Sequence, residues 1–183
     1  MKTSVILTAV LLLAAIPGIA DNLVTNGGFE TGDFTGWTVL DNDGYTFVTS
    51  PVAYDGAYSA VFGTIGHDTE IEQTITDVAG QHYFFSFFYE NPGFTPNDFT
   101  AQWNGATLFQ SQDSGLQDWT QYSFEVVGTG SDTIAFFGRN DPAYTALDSV
   151  SVSLPEPSFA WVGIGLMFAL FLKLRRRSGA AVQ

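Results

Sequence analysis

Short runs in which apolar and polar residues alternate fill residues 21–154, and Gly, Asn, Asp and Pro separate these runs. Alternation with a period of two is typical of half-buried β-strands, and no stretch of this segment keeps the 3.6-residue period of a helix. Without helices to cross between parallel strands, the strands are expected to run antiparallel. The pattern therefore predicts an all-β fold, an antiparallel β-sandwich, with strands near residues 37–40, 45–48, 58–62, 70–76, 83–89, 98–103, 107–110, 119–127, 133–137 and 148–154.

Residues 83–89 form the strongest predicted strand, because six of these seven residues are aromatic. Aromatic residues on both of its faces indicate a central strand, or a strand whose outer face is used. Asn104-Gly105 lies between two predicted strands and is a strong signal for a tight hairpin turn. Trp37 and Trp119 are expected in the core, where most aromatic residues of a β-sandwich lie.

Charge divides the chain into three parts. Residues 21–154 contain 18 of the 19 acidic residues and one base, Arg139, whereas residues 155–183 contain four bases and one acid. Such an acidic middle part argues against nucleic acid or anionic lipid as the main partner. The chain has no cysteine, which excludes disulfides, thiolate catalysis and Cys-ligated metal sites. We interpret residues 21–154 as one domain between two sorting segments.

Residues 1–20 have the features of a secretory signal peptide. Lys2 gives the positive start, residues 5–16 form an apolar run too short to span a bilayer, and small residues precede a cleavage site after Ala20. The alternative is a buried N-terminal helix. Export is compatible with the rest of the chain, where nothing requires a reducing compartment.

The C-terminal segment begins with Pro155-Glu156-Pro157, where the two prolines prevent regular structure. Residues 159–172 carry no charge and would cover about 21 Å as a helix, short of the ~30 Å hydrocarbon core of a bilayer. Snorkelling of Lys173 and an interfacial position for Trp161 extend this span, which predicts a short transmembrane helix over residues 159–174. The basic residues that follow would remain in the cytoplasm: Arg175, Arg176 and Arg177.

This arrangement closely resembles the PEP-CTERM sorting signal of Gram-negative bacteria, over residues 155–183. The resemblance implies recognition by an exosortase, a membrane-embedded transpeptidase similar to cysteine proteases. It also implies transient anchoring in the inner membrane, removal of the tail near the motif, and a final location at the cell surface or outside the cell. Hosts of this system tend to make exopolysaccharide. Residues 178–183, after the arginines, depart from the pattern, and a simple C-terminal membrane anchor is the alternative.

Five short landmarks follow one another over nearly all of residues 21–154: Asn26-Gly27-Gly28-Phe29-Glu30 with Gly36-Trp37, Asp55-Gly56-Ala57-Tyr58-Ser59, residues 78–83, residues 119–122 and residues 147–152. Their order resembles that of galactose-binding-like jelly-roll domains, which include many carbohydrate-binding modules. The resemblance implies a jelly-roll β-sandwich, and a glycan as the class of ligand.

The same resemblance implies a structural calcium site. In the family, an early Glu and an Asp of the last strand often meet, which here are Glu30 and Asp148, and backbone oxygens of Asp55 or Gly56 complete the shell. Calcium prefers six to eight hard oxygen ligands and would neutralise two neighbouring carboxylates. The alternative is that both carboxylates cap turns. Residues 41–44 look like the start of an EF-hand loop, but the closing acid is missing, and we interpret them as a turn.

Aromatic side chains in loops would form a sugar platform, since pyranose rings stack on aromatic faces and sugar hydroxyls bind polar groups. The alternative for each aromatic residue is a place in the core. The candidates lie in or beside predicted loops: Trp103 and Asn104 at the hairpin tip, Tyr45 in the acidic loop, Tyr89 and Phe94 around Asn91-Pro92-Gly93, and Tyr144 in a late loop.

Patterns typical of catalysis are missing from the sequence. His67 and His82 have no metal-ligand spacing, and neither a Gly-x-Ser-x-Gly elbow nor a phosphate-binding glycine loop occurs. The sequence predicts an exported, non-catalytic protein that binds exopolysaccharide or envelope glycan. The alternatives are a structural or adhesive matrix protein without a defined sugar ligand, and an enzyme that acts on polysaccharide through paired carboxylates. The acidic charge favours a neutral glycan, or an acidic one linked through calcium.

Overall fold

The computed structural model of the 183-residue chain describes residues 21–155. The predicted signal peptide (1–20), Glu156 and Pro157, the predicted helix (159–174) and the basic tail (175–177) lie outside the described residues. Between residues 21 and 155, no helix is long and apolar enough to cross a membrane. The described strands are β1 (Thr38–Leu40), β2 (Thr46–Thr49), β3 (Ser59–Phe62), β4 (Thr69–Thr76), β5 (His82–Asn91), β6 (Asn97–Trp103), β7 (Ala106–Gln112), β8 (Gln117–Val127), β9 (Ser131–Asn140) and β10 (Thr145–Ser153).

The strands form two five-stranded sheets, in the orders β1-β4-β9-β6-β7 and β2-β3-β10-β5-β8. Every pairing within the sheets is antiparallel. Each of the ten predicted strands overlaps one observed strand, and the predicted all-β fold, an antiparallel jelly-roll β-sandwich, is confirmed.

Alternation along the strands places the apolar core between the two sheets. On β5, Phe85 and Phe87 are fully buried, whereas Phe84 points outward and is 42% exposed. The outward-facing Phe88 is covered instead by Tyr54, whose ring stacks on it with a centroid separation of 3.5 Å. Strand β5 lies between β10 and β8, which confirms that it is not an edge strand.

The segment before β1 packs against the sandwich through an asparagine-centred turn. The side-chain amide of Asn26 donates hydrogen bonds to the carbonyl oxygens of Asp33 and Thr35, at 3.0 and 3.1 Å. The buried rings of Phe29 and Trp37 stack with centroids 5.7 Å apart. These contacts give the first landmark of the sequence its physical basis, since the Asn side chain replaces backbone partners in the turn.

The connections that follow the odd-numbered strands gather at one end of the sandwich, which we call the aromatic end. Hydrogen bonds tie these loops together. The amide of Asp141 donates to the carbonyl oxygen of Pro96 at 3.1 Å, and a ring nitrogen of His67 lies 3.0 Å from the carbonyl oxygen of Asp41. The aromatic end comprises residues 41–45, 63–68, 92–96, 113–116 and 141–144.

Candidate functional site

Exposed aromatic side chains gather at the aromatic end. Tyr45, Phe94 and Tyr144 are 47%, 55% and 40% exposed, and each comes from a different loop. Single exposed apolar residues are common on protein surfaces, whereas a group of them marks an interaction surface. All three are predicted platform residues, and the structure brings them to the same end of the sandwich.

A cavity of about 150 Å³ lies between Tyr45 and Tyr144. Asn140 lines it and is only 1% exposed, yet neither atom of its side-chain amide has a hydrogen-bond partner among the described residues. Buried polar groups are nearly always paired, so the Asn140 amide, which is closed to solvent, is an exception within the packing beside this cavity. We call this cavity the Asn140 pocket; its lining is Tyr45, Gly63, Ile65, Asn140, Asp141, Pro142, Ala143 and Tyr144.

The rim of the Asn140 pocket is held in place by contacts with the backbone. The ring of Tyr144 lies against Gly63, where a β-carbon would overlap it. Phe47 packs edge-on against the same ring, with centroids 5.5 Å apart. The amide of Gly63 donates a hydrogen bond to the carbonyl oxygen of Tyr45 at 3.1 Å. The two tyrosines are therefore positioned through a shared glycine.

A buried amide network supports the loop that carries Phe94. The side chain of Asn97 donates to the carbonyl oxygens of Phe94 and Ser114, at 2.6 and 2.9 Å. Its amide oxygen accepts from the side chain of Asn91 and from the backbone amide of Ser114, both at 3.1 Å. Both asparagines are fully buried. Sequence reasoning missed them as determinants of this end, because a buried Asn at a strand end has no distinctive pattern.

Two of the predicted platform residues, Trp103 and Tyr89, are buried, which corrects their assignment as exposed sugar platforms. Trp103 is 7% exposed and lies 6.0 Å from Phe85, centroid to centroid. Tyr89 is fully buried and stacks on Phe99 at 4.4 Å. Both adjoin loops, but strand alternation turns their side chains inward.

Asn104 lies away from the aromatic end and serves the hairpin turn. Asn104 and Gly105 have positive φ angles of 50° and 77°, as a two-residue turn of this type requires, which confirms the predicted hairpin. The Asn104 amide donates to Asp132 at 2.6 Å and accepts from the backbone amide of Thr133 at 2.8 Å. Its polar atoms are therefore committed to structure, at the opposite end from the Asn140 pocket.

Trp37 lies in the core as expected, whereas Trp119 does not. Trp119 is half-buried on the outer side of β8, and its ring centroid lies 6.0 Å from that of Tyr54. The alternation of β8 places Tyr122, Phe124 and Val126 against the core and leaves Trp119 on the other face.

Glu30 and Asp148 converge on the loop between β2 and β3. The carboxylate of Glu30 accepts the backbone amides of Ala57 and Tyr58, at 2.9 and 3.0 Å. It occupies the space that a β-carbon on Gly56 would need. Asp148 is fully buried and accepts the amides of Tyr54 and Asp55, at 2.8 and 3.1 Å. The structure thus brings together the three residues of the predicted calcium site.

The chemistry of this loop suits a hard cation. Burial raises the pKa of the Asp148 carboxyl above its ordinary value, and the charge of Glu30 adds to this. Arg139, the only Lys or Arg of residues 21–154, lies elsewhere, beside Asp68. The same carboxylates also cap backbone amides, which is the alternative role. No group of three or more His, Cys, Asp or Glu side chains in residues 21–155 is arranged to hold a metal.

The outer face of the sheet β1-β4-β9-β6-β7 is polar and centred on Arg139. The guanidinium lies 3.3 Å from the Asp68 carboxylate, and the register places Asp98 across from it on β6. On the next row, Phe137 pairs with Glu70 of β4. Burial raises the pKa of both Glu70 and Asp98. Among residues 21–155 this face has one guanidinium, and it already has a carboxylate partner.

Hydrogen bonds within the protein engage residues 41–44 and both histidines. The side chain of Asn42 accepts the backbone amide of Gly44 at 2.8 Å, which confirms a turn. His67 contacts the carbonyl oxygens of Ile65 and Asp41, and His82 pairs with Glu125 at 2.8 Å.

No protein-family model matches the sequence, and no curated protein matches it. Solved structures show the same fold. TmCBM61, solved in complex with β-1,4-galactotriose, is 19% identical with a TM-score of 0.61, over 74% of this chain and 100% of that chain. The CBM22-1 xylan-binding domain of Paenibacillus barcinonensis Xyn10C is 22% identical with a TM-score of 0.52, over 76% and 97%. The K1 cleaved adhesin domain of Lys-gingipain from Porphyromonas gingivalis W83 is 15% identical with a TM-score of 0.54, over 70% and 96%. The chain therefore has the β-sandwich fold of carbohydrate-binding modules.

Proposed function

We propose that the protein is an exported, non-catalytic carbohydrate-binding protein that contacts glycan through its aromatic end. The observation that carries this proposal is the position of Tyr45 and Tyr144 in the lining of the Asn140 pocket, with Phe94 exposed on another loop of the same end. Aromatic faces stack on the apolar sides of sugar rings, and an amide or carboxylate binds the hydroxyls at the ring edge. Carbohydrate-binding modules with this fold support the same assignment.

Charge narrows the class of glycan. The domain carries 18 acidic residues and one base, and that base is paired with Asp68. An anionic polymer would be repelled unless cations bridge it, since like charges across an interface cost free energy. We therefore favour uncharged exopolysaccharide or envelope glycan as the partner.

A glycan array probed with the full chain tests the proposal. Binding to one or more glycans is expected, and Tyr144→Ala should weaken it at least tenfold, because the ring forms one wall of the pocket. Phe84→Ala is the matched control, since Phe84 is similarly exposed but lies on the outer face of β5, near the strand's first residue and away from the aromatic end. If both variants bind as the wild type does, the aromatic end is not the site.

The adhesive alternative predicts a different result from the same array. A structural or adhesive matrix protein without a defined sugar ligand would bind no glycan but would still associate with the matrix of the host. The chain is similar in fold to a cleaved adhesin domain, which makes this outcome worth measuring. An enzyme would instead release product from polysaccharide, and that release would depend on a single carboxylate.

We also propose that the two ends of the chain direct export and sorting. The signal peptide (1–20) would take residues 21–154 across the inner membrane of a Gram-negative host, and the segment 155–183 would present Pro155-Glu156-Pro157 to an exosortase. Deletion of residues 155–183 should abolish retention at the membrane and release the domain early. Pulse-chase fractionation with Pro155→Ala and Pro157→Ala measures this, and retained processing in both variants would contradict the assignment.

We propose calcium as a structural ligand of Glu30 and Asp148, with backbone oxygens near Gly56 as further ligands. The donor chemistry supports it, because two carboxylates share one loop without a neighbouring Lys or Arg. The ion would fix the β2–β3 loop and neutralise the paired charges.

A further inference from the structure

We infer that the end of the domain opposite the aromatic end lies against the membrane surface while the chain is anchored, and that apolar side chains there contact the lipid headgroup region. This inference rests on the proposed anchoring by residues 155–183, to which it adds a lipid contact made by the domain itself. It is carried by a group of exposed apolar side chains, by the scarcity of charge around them and by the short connection to the apolar segment 159–172.

The connections that follow β4, β6 and β8 lie opposite the aromatic end. Strand β10 begins beside the loop 141–144 and ends here at Ser153, and the amide of Leu23 donates to the carbonyl oxygen of Val152 at 2.9 Å. The chain therefore enters and leaves the domain at this end. We call it the exit end; it comprises residues 77–81, 104–105, 128–130 and 154–155.

Four apolar side chains are exposed at or beside the exit end. Val78 is 65% exposed, Val127 48% and Leu154 46%. Phe84 is exposed too, and it pairs with Ser153, the residue before Leu154. Single exposed apolar residues need no explanation, whereas a group of them is typical of a contact with a membrane or a protein.

Backbone hydrogen bonds join the loops that carry the two valines. The amide of Gly80 donates to the carbonyl oxygen of Gly128 at 2.8 Å, and the amide of Gly128 donates to that of Gln81 at 2.9 Å. A β-carbon at position 128 would lie 2.7 Å from the carbonyl oxygen of Val78. Val127, next in sequence to Gly128, therefore shares one surface with Val78.

Charge is distributed unequally between the two ends of the sandwich. The exit end contains one charged residue, Asp77, whereas the loops of the aromatic end contain five aspartates: Asp41, Asp43, Asp68, Asp113 and Asp141. A carboxylate brought to a bilayer loses hydration and is repelled by anionic lipids. The exit end can therefore approach a bilayer at a lower cost than the aromatic end.

The acids at and beside the exit end are largely engaged within the protein. Asp77 accepts the amide of Gly130 at 2.6 Å, and Glu125 pairs with His82 at 2.8 Å. The one guanidinium between residues 21 and 155 is paired elsewhere, so no Lys or Arg side chain of this range is available for a lipid phosphate. The exit end thus fits a zwitterionic surface through apolar contact.

The connection from the domain to the proposed transmembrane helix is short. Leu154 and Phe159 are five residues apart, which is at most about 18 Å of extended chain. The headgroup layer on each side of a bilayer is roughly 5–8 Å thick. A connection this short gives the apolar group an effective concentration on the order of millimolar at the surface, so that weak contacts suffice to orient the domain. The nine residues of β10 then hold the aromatic end roughly 30 Å away, facing the matrix.

Fluorescence quenching on the full chain in vesicles tests the inference. The chain has no cysteine, so a single Cys can carry the fluorophore. Ala79→Cys labels the exit end, and Leu116→Cys, at an exposed apolar position of the aromatic end, is the matched control. The vesicles are phosphatidylcholine in which some lipids carry a nitroxide on the headgroup. The label at position 79 should be quenched at least twofold more than the label at position 116.

Added charge tests the apolar side chains themselves. In the chain labelled at position 79, Val78→Asp and Val127→Asp should each lower the quenching at least 1.5-fold, because a carboxylate there opposes contact with the bilayer. Both side chains are exposed, so Tm should not change. Leu116→Asp adds the same charge at the other end and should leave the quenching unchanged. Unchanged quenching in both valine variants would overturn the apolar contact.

The anchor and the contact fail separately. Flotation of the full chain with the vesicles, lost on deletion of residues 155–183, reports the anchor; without it, the proposed membrane segment and the inference are both contradicted. Flotation with equal quenching at positions 79 and 116 would overturn the inference alone. Protection of the label at position 79 from both the lipid nitroxide and iodide in the water would show that another protein copy covers the exit end, and would overturn it as well.

Discussion

The ring of Tyr144 lies against the α-carbon of Gly63, in the space that a β-carbon at position 63 would occupy. Gly63 also donates its backbone amide to the carbonyl oxygen of Tyr45. One residue without a side chain therefore sets the positions of both aromatic walls of the Asn140 pocket. Glycine is needed at this position because a Cβ would meet the Tyr144 ring of the proposed binding surface.

Replacement of Gly63 by alanine should displace the Tyr144 ring and reduce glycan binding at least fivefold. We expect a small loss of stability, about 1–2 kcal/mol, because the added methyl group meets a partly exposed ring that can move. Binding is measured on the best glycan from the array, and stability by urea unfolding. Gly115→Ala is the control, since nothing lies within 4 Å of a β-carbon there. Equal binding by both variants would contradict the role of the Tyr144 position.

Replacement of Asn97 by alanine should cost about 2–4 kcal/mol of unfolding free energy. The substitution removes five hydrogen bonds, the longest of them from the Ser114 hydroxyl at 3.5 Å, and leaves the buried amide of Asn91 short of one partner. The loop with Phe94 should become more mobile, which amide hydrogen exchange of residues 92–96 would detect. Gln110→Ala, on an exposed position of β7, should stay within about 0.5 kcal/mol. A loss below about 1 kcal/mol for Asn97→Ala would show that the network is dispensable.

The strands were predictable from the sequence because alternation between two faces leaves a direct record in the chain. The turn at Asn104-Gly105 was predictable for a different reason, since both residues must adopt positive φ and Asn and Gly tolerate it. The fold brought Glu30 and Asp148 to one loop, as the resemblance implied. Their metal remains a prediction.

The binding surface was only partly predictable, because it depends on which face of a strand a side chain uses and on contacts distant in sequence. Trp103 and Trp119 illustrate the first limit. A shift of one position along the strand would move either side chain to the opposite face of its sheet. Asn140 and Gly63 illustrate the second. The sequence does not show that residue 140 loses its partners or that residue 63 meets a ring 81 positions later.

Asp77→Asn should stabilise the protein at neutral pH. Burial raises the pKa of the Asp77 carboxyl, and its contact with Asp132 adds to this. Burial alone would raise the pKa of Asp132 too, but bonds with Asp77, Thr129 and Asn104 outweigh it and lower that pKa to about 2. The buried Oδ2 of Asp77 has no partner among the described residues. An amide there would donate to Asp132 without needing a proton, and we expect a gain of about 1 kcal/mol.

The pH dependence of stability tests whether the Asp77 carboxylate is unfavourable at neutral pH. The stability that Asp77 contributes is complete below 3.8, its ordinary pKa, and is lost as the pH rises through its raised value. Asp77→Asn should therefore exceed the wild type in Tm at neutral pH and approach it in acid. Asp118→Asn, which removes one exposed charge, controls for net charge. A lower Tm for Asp77→Asn than for Asp118→Asn at neutral pH would contradict the predicted cost of the charged Asp77 carboxylate.

Calcium should reverse the contribution of Asp148 to the pH dependence of stability. In chelator, the raised pKa of Asp148 means that its contribution is complete below 3.8 and is lost as the pH rises through the raised value. Calcium needs the carboxylate, so it should stabilise the chain at neutral pH by about 2–3 kcal/mol at roughly a hundred times its Kd, and lose this effect in acid. Glu30→Ala and Asp148→Ala should abolish the rise in Tm, and Asp148→Asn should remove both pH effects. Thermal scans in chelator and in excess calcium measure each curve. A calcium response retained in all three variants would place any bound ion elsewhere, and no response in the wild type would leave the two carboxylates as caps of the β2–β3 loop.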